Sequence, residues 1–262
     1  MLYNEERKLK IKKLIEETGK INVNDLSEEF KISKETIRRD LTSLEKMGVL
    51  KRTHGGAILS TVKNSNFNTE YPVEIRQIQN CDEKKSICKK AASFIQNKDI
   101  IFIDNSSTLI YLPKYIPKNI QITIITNSIN ALLEIAKRDM PNVTAICLGG
   151  IFNARNYSLY GMGSLKSAEE YFPNKAFFSC AGISPKSMIA DTSLFELDIK
   201  KMMIERAETT YLLADYTKFF RSGQIQLCRF DAVDNIITDK GKGDMERHIR
   251  YIVDMGISVS IV

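Results

Sequence analysis

Apolar residues recur at helical spacing three times before residue 50. Leu9, Ile11, Leu14 and Ile15 predict a first helix ending near Gly19. Leu26 and Phe30, four apart, predict a short second helix, which Asn22 or Asn24 can cap. Ser33 is a good N-cap for a third helix over roughly residues 34–47, where Ile37, Leu41 and Leu44 make one apolar stripe. Glu35, Arg39, Thr42 and Lys46 fall on the opposite side, with Thr36 and Arg38 on its flanks. Gly48 suits the position just past the helix end. "VLKRTHGGA" then reads as a short hairpin turning on a double glycine. Three helices and a hairpin predict a winged helix-turn-helix, whose second motif helix lies in the DNA major groove.

Residues 58–80 have no clear period, are rich in Asn, Ser and Thr, and read as a linker. "CDEKKSICKKAASFI" follows, with Ile87, Ala91 and Ile95 on one helix face. From residue 99 the pattern changes. β-rich runs at 99–104, 121–126, 143–150, 176–183, 210–215, 235–239 and 257–262 alternate with helical stretches near 107–115, 128–139, 164–172, 193–208 and 244–255. Apolar strands joined by helices predict a mostly parallel α/β sheet. The expected organisation is a DNA-binding head over 1–57, a linker over 58–80 and an α/β domain over 81–262. There is no internal repeat.

Composition adds a direction. The 262 residues are 43% hydrophobic and 27% charged, with a formal net charge of +6. Residues 1–60 hold 13 Lys and Arg against 10 Asp and Glu, so half of the excess lies in under a quarter of the length. That leans towards a polyanion-binding N-terminus. Five scattered cysteines form no CxxC pair, and with only His54 and His248 to join them they predict reduced thiols and no metal site. The N-terminus lacks an apolar signal-peptide core and no apolar run reaches spanning length, so a cytoplasmic protein without a membrane partner is expected.

Arg38 and Arg39 now acquire a purpose. An arginine fork can bind guanine O6 and N7 or clamp a phosphate. Asp40, repelled by phosphates, is expected to orient an arginine or to pair with the scaffold. Thr53-His54-Gly55-Gly56 has no acid–His–nucleophile grouping around it and reads as a DNA-contacting wing.

Ligands of open α/β sheets bind at the carboxyl ends of the strands. Here those ends read "DNSST" (104–108), "TNS" (126–128), Gly149-Gly150, Thr238-Asp239 and "LADYTKF" (213–219). Backbone N–H groups and hydroxyls at a helix start attract anions, and Lys218 would add charge. A small phosphorylated or polyhydroxy ligand fits this set, although each turn alone is ordinarily a plain helix cap. An enzyme is the alternative: a sugar-phosphate isomerase or lyase, with Glu196, Asp215 and Lys218 as candidate bases.

"TIRRDL" followed by "LEKMGVLKRTHGGA" resembles the N-terminal signature of the DeoR family of bacterial transcriptional regulators. "EKKSICKKAASFI", "IFIDNSST", "ITIITNS", "LGG", "AFFSCAGIS", "LLADYTKF" and "IITD" resemble successive landmarks of that family's effector domain, in order. The resemblance implies a sensor domain shaped like ribose-5-phosphate isomerase and the CoA transferases, no cofactor, and usually repression of a sugar or polyol operon relieved by a phosphorylated sugar. It implies operator contacts from Ser33, Lys34, Thr36, Arg38 and Arg39, with Arg52 and His54 in the wing. It implies an effector pocket of Asp104, Ser106, Ser107, Thr108, Thr126, Asn127, Gly150 and Lys218. Double-stranded operator DNA, a sugar phosphate and further copies of the chain, as dimer or tetramer, are the expected partners. Two positions depart from the family pattern. "DNSST" stands where "DxGTT" is frequent, which narrows backbone freedom. Asn174 stands where an aspartate is frequent, a change expected to alter hydrogen bonding near the pocket or an oligomer contact.

Overall fold

The stripe of the third predicted helix is real: Ile37 and Leu41 are fully buried, and Leu44 nearly so. They belong to a computed structural model that describes residues 4–46, 49–59, 72–184, 188–221, 223–241 and 245–262. The chain divides into two compact units, Met1–Gln79 and Asn80–Val262.

In the first unit, α1 (Asn4–Thr18), α2 (Val23–Phe30) and α3 (Lys34–Lys46) enclose a core of Ile11, Ile15, Leu26, Ile37, Leu41 and Leu44. Met47 and Gly48, the expected end of the third helix, lie outside the described residues. Asn22 caps α2, its side chain accepting from Asn24 N at 2.8 Å. A strand not expected from the sequence, β1 (Lys20–Asn22), joins the hairpin of β2 (Leu50–Thr53) and β3 (Gly56–Leu59) in the order β1–β3–β2. This explains the second glycine of the turn. A Cβ on Gly56 would lie 1.9 Å from Ile21 O on β1.

The linker expected over 58–80 is corrected at both ends. Ile58 and Leu59 belong to β3, and α4 (Val73–Ile78) is a helix whose Ile75 packs into the same core. Ile75 carries that packing and Val73 is also buried, but six residues are too few to show a helical period. Residues 60–71 lie outside the described residues.

The second unit opens with α5 (Cys81–Ala92), β4 (Ile100–Ile103), α6 (Leu112–Tyr115), β5 (Ile122–Thr126), α7 (Ile129–Lys137) and β6 (Val143–Cys147). A hairpin, β7 (Ile151–Asn153) and β8 (Ser158–Tyr160), leads to α8 (Met162–Ala168), β9 (Lys175–Phe178), β10 (Gly182–Ser184), β11 (Met188–Asp191) and α9 (Leu197–Arg206). The chain closes with β12 (Thr209–Leu213), β13 (Ile225–Arg229), β14 (Asn235–Thr238), α10 (Met245–Asp254) and β15 (Ser258–Ile261).

All seven β-rich runs form one parallel sheet in the order β15–β14–β12–β9–β4–β5–β6. Alternation along the strands feeds two faces. Ile101, Ile103 and Phe177 point towards α5, α6 and α7. Phe102 and Phe178 point to the other face, covered by α8, α9 and α10. The chain starts in the middle at β4, runs outward to β6, then returns to β9 and runs the other way. β4 and β9 therefore flank the topological switch point, where such sheets leave a crevice. A separate antiparallel sheet, β10–β11–β13, stands beside the parallel one.

Candidate DNA interface and effector pocket

On α3, Arg38 and Arg39 point outward, with side chains 54% and 81% exposed. Each lies 3.7 Å from Glu35, a loose surface pair that stabilises little and leaves both forks available. Asp40 faces the other way. It is buried against α1, where Arg7 Nε lies 2.5 Å from its Oδ2 and Nη2 lies 3.2 Å from its Oδ1. The scaffold role expected for Asp40 is its observed one.

Ser33 caps α3, accepting from Thr36 N at 3.2 Å and sharing a hydrogen bond with the Thr36 hydroxyl at 2.9 Å. Lys34 is exposed beside this cap. The wing is braced on the helix. Arg52 N donates to Glu45 at 2.7 Å, and its guanidinium donates to Thr42 Oγ1 at 2.9 Å. Between α2, α3 and the wing lies a polar cleft of ≈ 250 Å³, lined by Asn22, Asn24, Arg38, Arg52, His54 and the turn backbone. The sequence offered Asn22 and Asn24 only as helix caps. Their place in this cleft needed the β1–β3 pairing.

In the second unit, the carboxyl ends of β4, β5, β9, β12 and β14 share one sheet edge. Asp104 follows β4 at the switch point and is almost fully buried. Its Oδ1 accepts from Ser106 N at 2.9 Å, and its Oδ2 accepts from Ser179 N across the crevice at 3.0 Å. Lys200, buried on α9, bridges Asp104 and Asp191 at 3.0 and 2.7 Å and donates to Ser179 O. Desolvation works against the Lys200 charge, but the two aspartates outweigh it and hold its pKa above the ordinary lysine value.

A second buried lysine, Lys84 of α5, donates to Ser107 Oγ at 3.2 Å. Thr126 donates to Ile103 O at 2.6 Å and accepts from Ser128 N, which ties β5 to β4. Asn127 is buried beside them. Its amide donates to Leu159 O of β8 at 3.2 Å, whereas its Oδ1 has no partner among the described residues.

The structure thus gathers Asp104, Ser106, Ser107, Thr108, Thr126 and Asn127 on the adjoining ends of β4 and β5. Gly150 sits further out, beyond β6. Its φ of +125° and its close approach to Ser164 and Tyr160 O give a packing reason for glycine there. Lys218 lies beyond β12, half-buried and without an ion pair among the described residues. Asp239 follows β14. Burial pushes its carboxyl above the usual range, against the N–H groups of Tyr216 and Gly241 that it accepts from.

Asn174 needs a correction. It precedes β9 at the opposite, amino-terminal edge, where its Oδ1 accepts from Ile100 N and its amide donates to Glu208. It joins strand starts and has no place near the pocket. Two of the three candidate bases are also engaged. Glu196 accepts from Asn153, Asn156, Ser158 and Ser193, and Asp215 caps a turn through Thr217 N.

Residues 7–63 match the model of the DeoR-like helix-turn-helix domain, and residues 79–240 match that of the DeoR C-terminal sensor domain. The chain belongs to the DeoR family. It is 36% identical to the uncharacterized HTH-type transcriptional regulator YulB of Bacillus subtilis (strain 168) over 90% of this chain and 89% of the relative. It is 36% identical to the L-fucose operon activator of Escherichia coli (strain K12), over 82% and 86%. It is 30% identical to the HTH-type transcriptional repressor GlcR of Bacillus subtilis (strain 168), over 91% and 90%. The ribose 5-phosphate isomerase of Methanocaldococcus jannaschii overlaps 53% of this chain and 55% of its own, at 15% identity and a TM-score of 0.39, a partial likeness without functional weight.

This DeoR-family protein is a DNA-binding transcriptional regulator and not an enzyme. Among the described residues, no helix is long and apolar enough to cross a membrane, and no group of three His, Cys, Asp or Glu could hold a metal.

Proposed function

We propose that this regulator represses a sugar or polyol operon in the cytoplasm and leaves its operator when a phosphorylated sugar fills the pocket at the switch point. The observation that carries the effector reading is the buried cluster of Asp104, Ser107, Lys84 and Asn127, with an amide oxygen that has no donor among the described residues. Buried polar groups without a partner are costly, and a sugar hydroxyl would supply one. Ser106, Ser107 and Thr108 offer hydroxyls and a turn backbone to the phosphate, with Lys84 and Lys218 supplying positive charge. Thr126 and Gly150 shape the rim.

On the DNA side, Lys34, Thr36, Arg38 and Arg39 read the operator, Ser33 holds the helix start, and Arg52 and His54 lie along the backbone. One small head covers little DNA, which favours a dimer or tetramer on repeated half-sites. Ligand relieves repression by preferring the sensor arrangement that spaces the heads wrongly. GlcR, named a repressor, supports the sign; the L-fucose operon activator argues that the same architecture can act the other way.

The test is fluorescence anisotropy on DNA from upstream of the protein's own gene, titrated with sugar phosphates and their unphosphorylated parents, alongside a reporter fusion. Release by one phosphorylated sugar, with roughly 5–150-fold weaker operator binding, is expected. Indifference to every phosphorylated sugar would sink the effector reading. Reporter output that falls when the gene is deleted would make the protein an activator.

A further inference from the structure

Two buried side-chain oxygens have no hydrogen-bond partner among the described residues: Asn127 Oδ1 and Thr192 Oγ1. The first belongs to the pocket above. The second lies directly after β11, in the small antiparallel sheet.

Two chains of contacts join Thr192 to the switch point. Its backbone N donates to Asp191 Oδ1 at 2.8 Å, and the other oxygen of that carboxylate lies 2.7 Å from Lys200, which reaches Asp104. The second chain runs through the hairpin. Buried Glu196 accepts from Ser193, beside Thr192, and from Ser158 of β8 at 2.5 Å. Next to Ser158, Leu159 N donates to Asn127 O at 2.9 Å. The residues that carry the two unpartnered oxygens are therefore joined through one network of hydrogen bonds. A hydroxyl rotates freely and normally finds a partner when buried, so a loop pinned on both sides that still leaves one unpaired among the described residues points to a group from outside them.

The surroundings decide which group. On the Thr192 side, Asp191 and Glu196 face Lys200, and that balance disfavours a phosphate. Lys84 and Ser107 offer the opposite field. We propose that Thr192 is a specificity-determining residue: its hydroxyl pairs with a hydroxyl of a phosphorylated polyhydroxy ligand at the end away from the phosphate, which Ser107 and Lys84 hold. This rests on the effector reading above. A site that hydrogen-bonds a ligand hydroxyl rejects analogues lacking it far more sharply than an apolar pocket rejects an extra methylene.

Calorimetric titration of the full chain tests it. The probes are inorganic phosphate, ribose 5-phosphate, glucose 6-phosphate, fructose 6-phosphate and fructose 1-phosphate, against wild type, Thr192→Val and Thr192→Ser. The tightest sugar phosphate should bind Thr192→Val at least ~10-fold more weakly and Thr192→Ser nearly as wild type, with inorganic phosphate unchanged throughout. The melting point of ligand-free Thr192→Val should not fall, because the hydroxyl has no partner to lose among the described residues. Undiminished sugar-phosphate binding by Thr192→Val, or a clear fall in its ligand-free melting point, overturns the assignment and leaves the effector reading standing. If no sugar phosphate binds wild type more tightly than inorganic phosphate, both fall together.

Discussion

Arg7 on α1 holds Asp40 on α3 through two hydrogen bonds, and both side chains are buried. The pair stands directly behind the outward Arg39, so the anchor of the helix and its exposed fork are neighbours in sequence with opposite duties. Replacing Asp40 by alanine leaves the guanidinium buried without its carboxylate, a change that costs about 3–5 kcal/mol. Amides of α3 should exchange with deuterium markedly faster in Asp40→Ala, while those of β4 and β9 keep their protection. Unchanged exchange along α3 would mean that the apolar stripe alone fixes the helix.

Arg38 and Arg39 should separate by their salt dependence. Where an arginine binds a base edge, its alanine variant should cost ~1–3 kcal/mol of affinity and relax sequence preference; where it binds a phosphate, the variant should weaken all sequences alike and lower the salt slope by about one. Glu35→Gln removes the acid that shares both forks and should tighten binding modestly. Operator titrations at several salt concentrations, with matched and scrambled DNA, distinguish these outcomes. Wild-type affinity in both arginine variants would remove α3 from the interface.

Lys84→Met should leave operator binding intact and abolish release by sugar phosphate. The variant keeps the length of the stem but presents no charge to Ser107. Anisotropy with and without the sugar phosphate measures both properties in one experiment. Normal release would move the phosphate to the Lys218 side of the sheet edge.

Burial pushes the Cys180 thiol up to about 12. The folded protein therefore keeps a proton that the unfolded chain gives up from about pH 9. Since the unfolded state then binds fewer protons, stability declines as pH rises from 9 towards 12. Thermal midpoints from pH 8 to 10.5 should fall, with a shallower slope in Cys180→Ala. Iodoacetamide at pH 8 should modify exposed Cys147 and spare buried Cys88 and Cys180 until the protein unfolds.

The parallel sheet was legible because its strands are apolar on both faces, so runs such as 121–126 stand out. The small elements were not. β10, β11 and β13 span three to five residues each, and β7 and β8 three each, too short for a period to declare itself. The stripe on α3 identified the helix, and of the two roles expected for the acid beside its arginine pair, pairing with the scaffold is the one it has. Lys84 and Lys200 escaped notice because "EKK" and "IKK" look like ordinary solvated helix surface. Lys84 turns inward where α5 packs over the end of β4, and Lys200 only once the chain has returned to β9 and α9. The pocket alternative for Asn174 failed for a related reason: a residue beside a strand run does not reveal which end of the sheet it faces until strand direction is known.

The return of the chain through the middle of the sheet also orders events during synthesis. The head has its own core and is complete once α4 emerges from the ribosome. The crevice beside Asp104 waits for Ser179 and Lys200, which are made much later. A chain that ends before Ser179 therefore carries a finished head and an unfinished crevice.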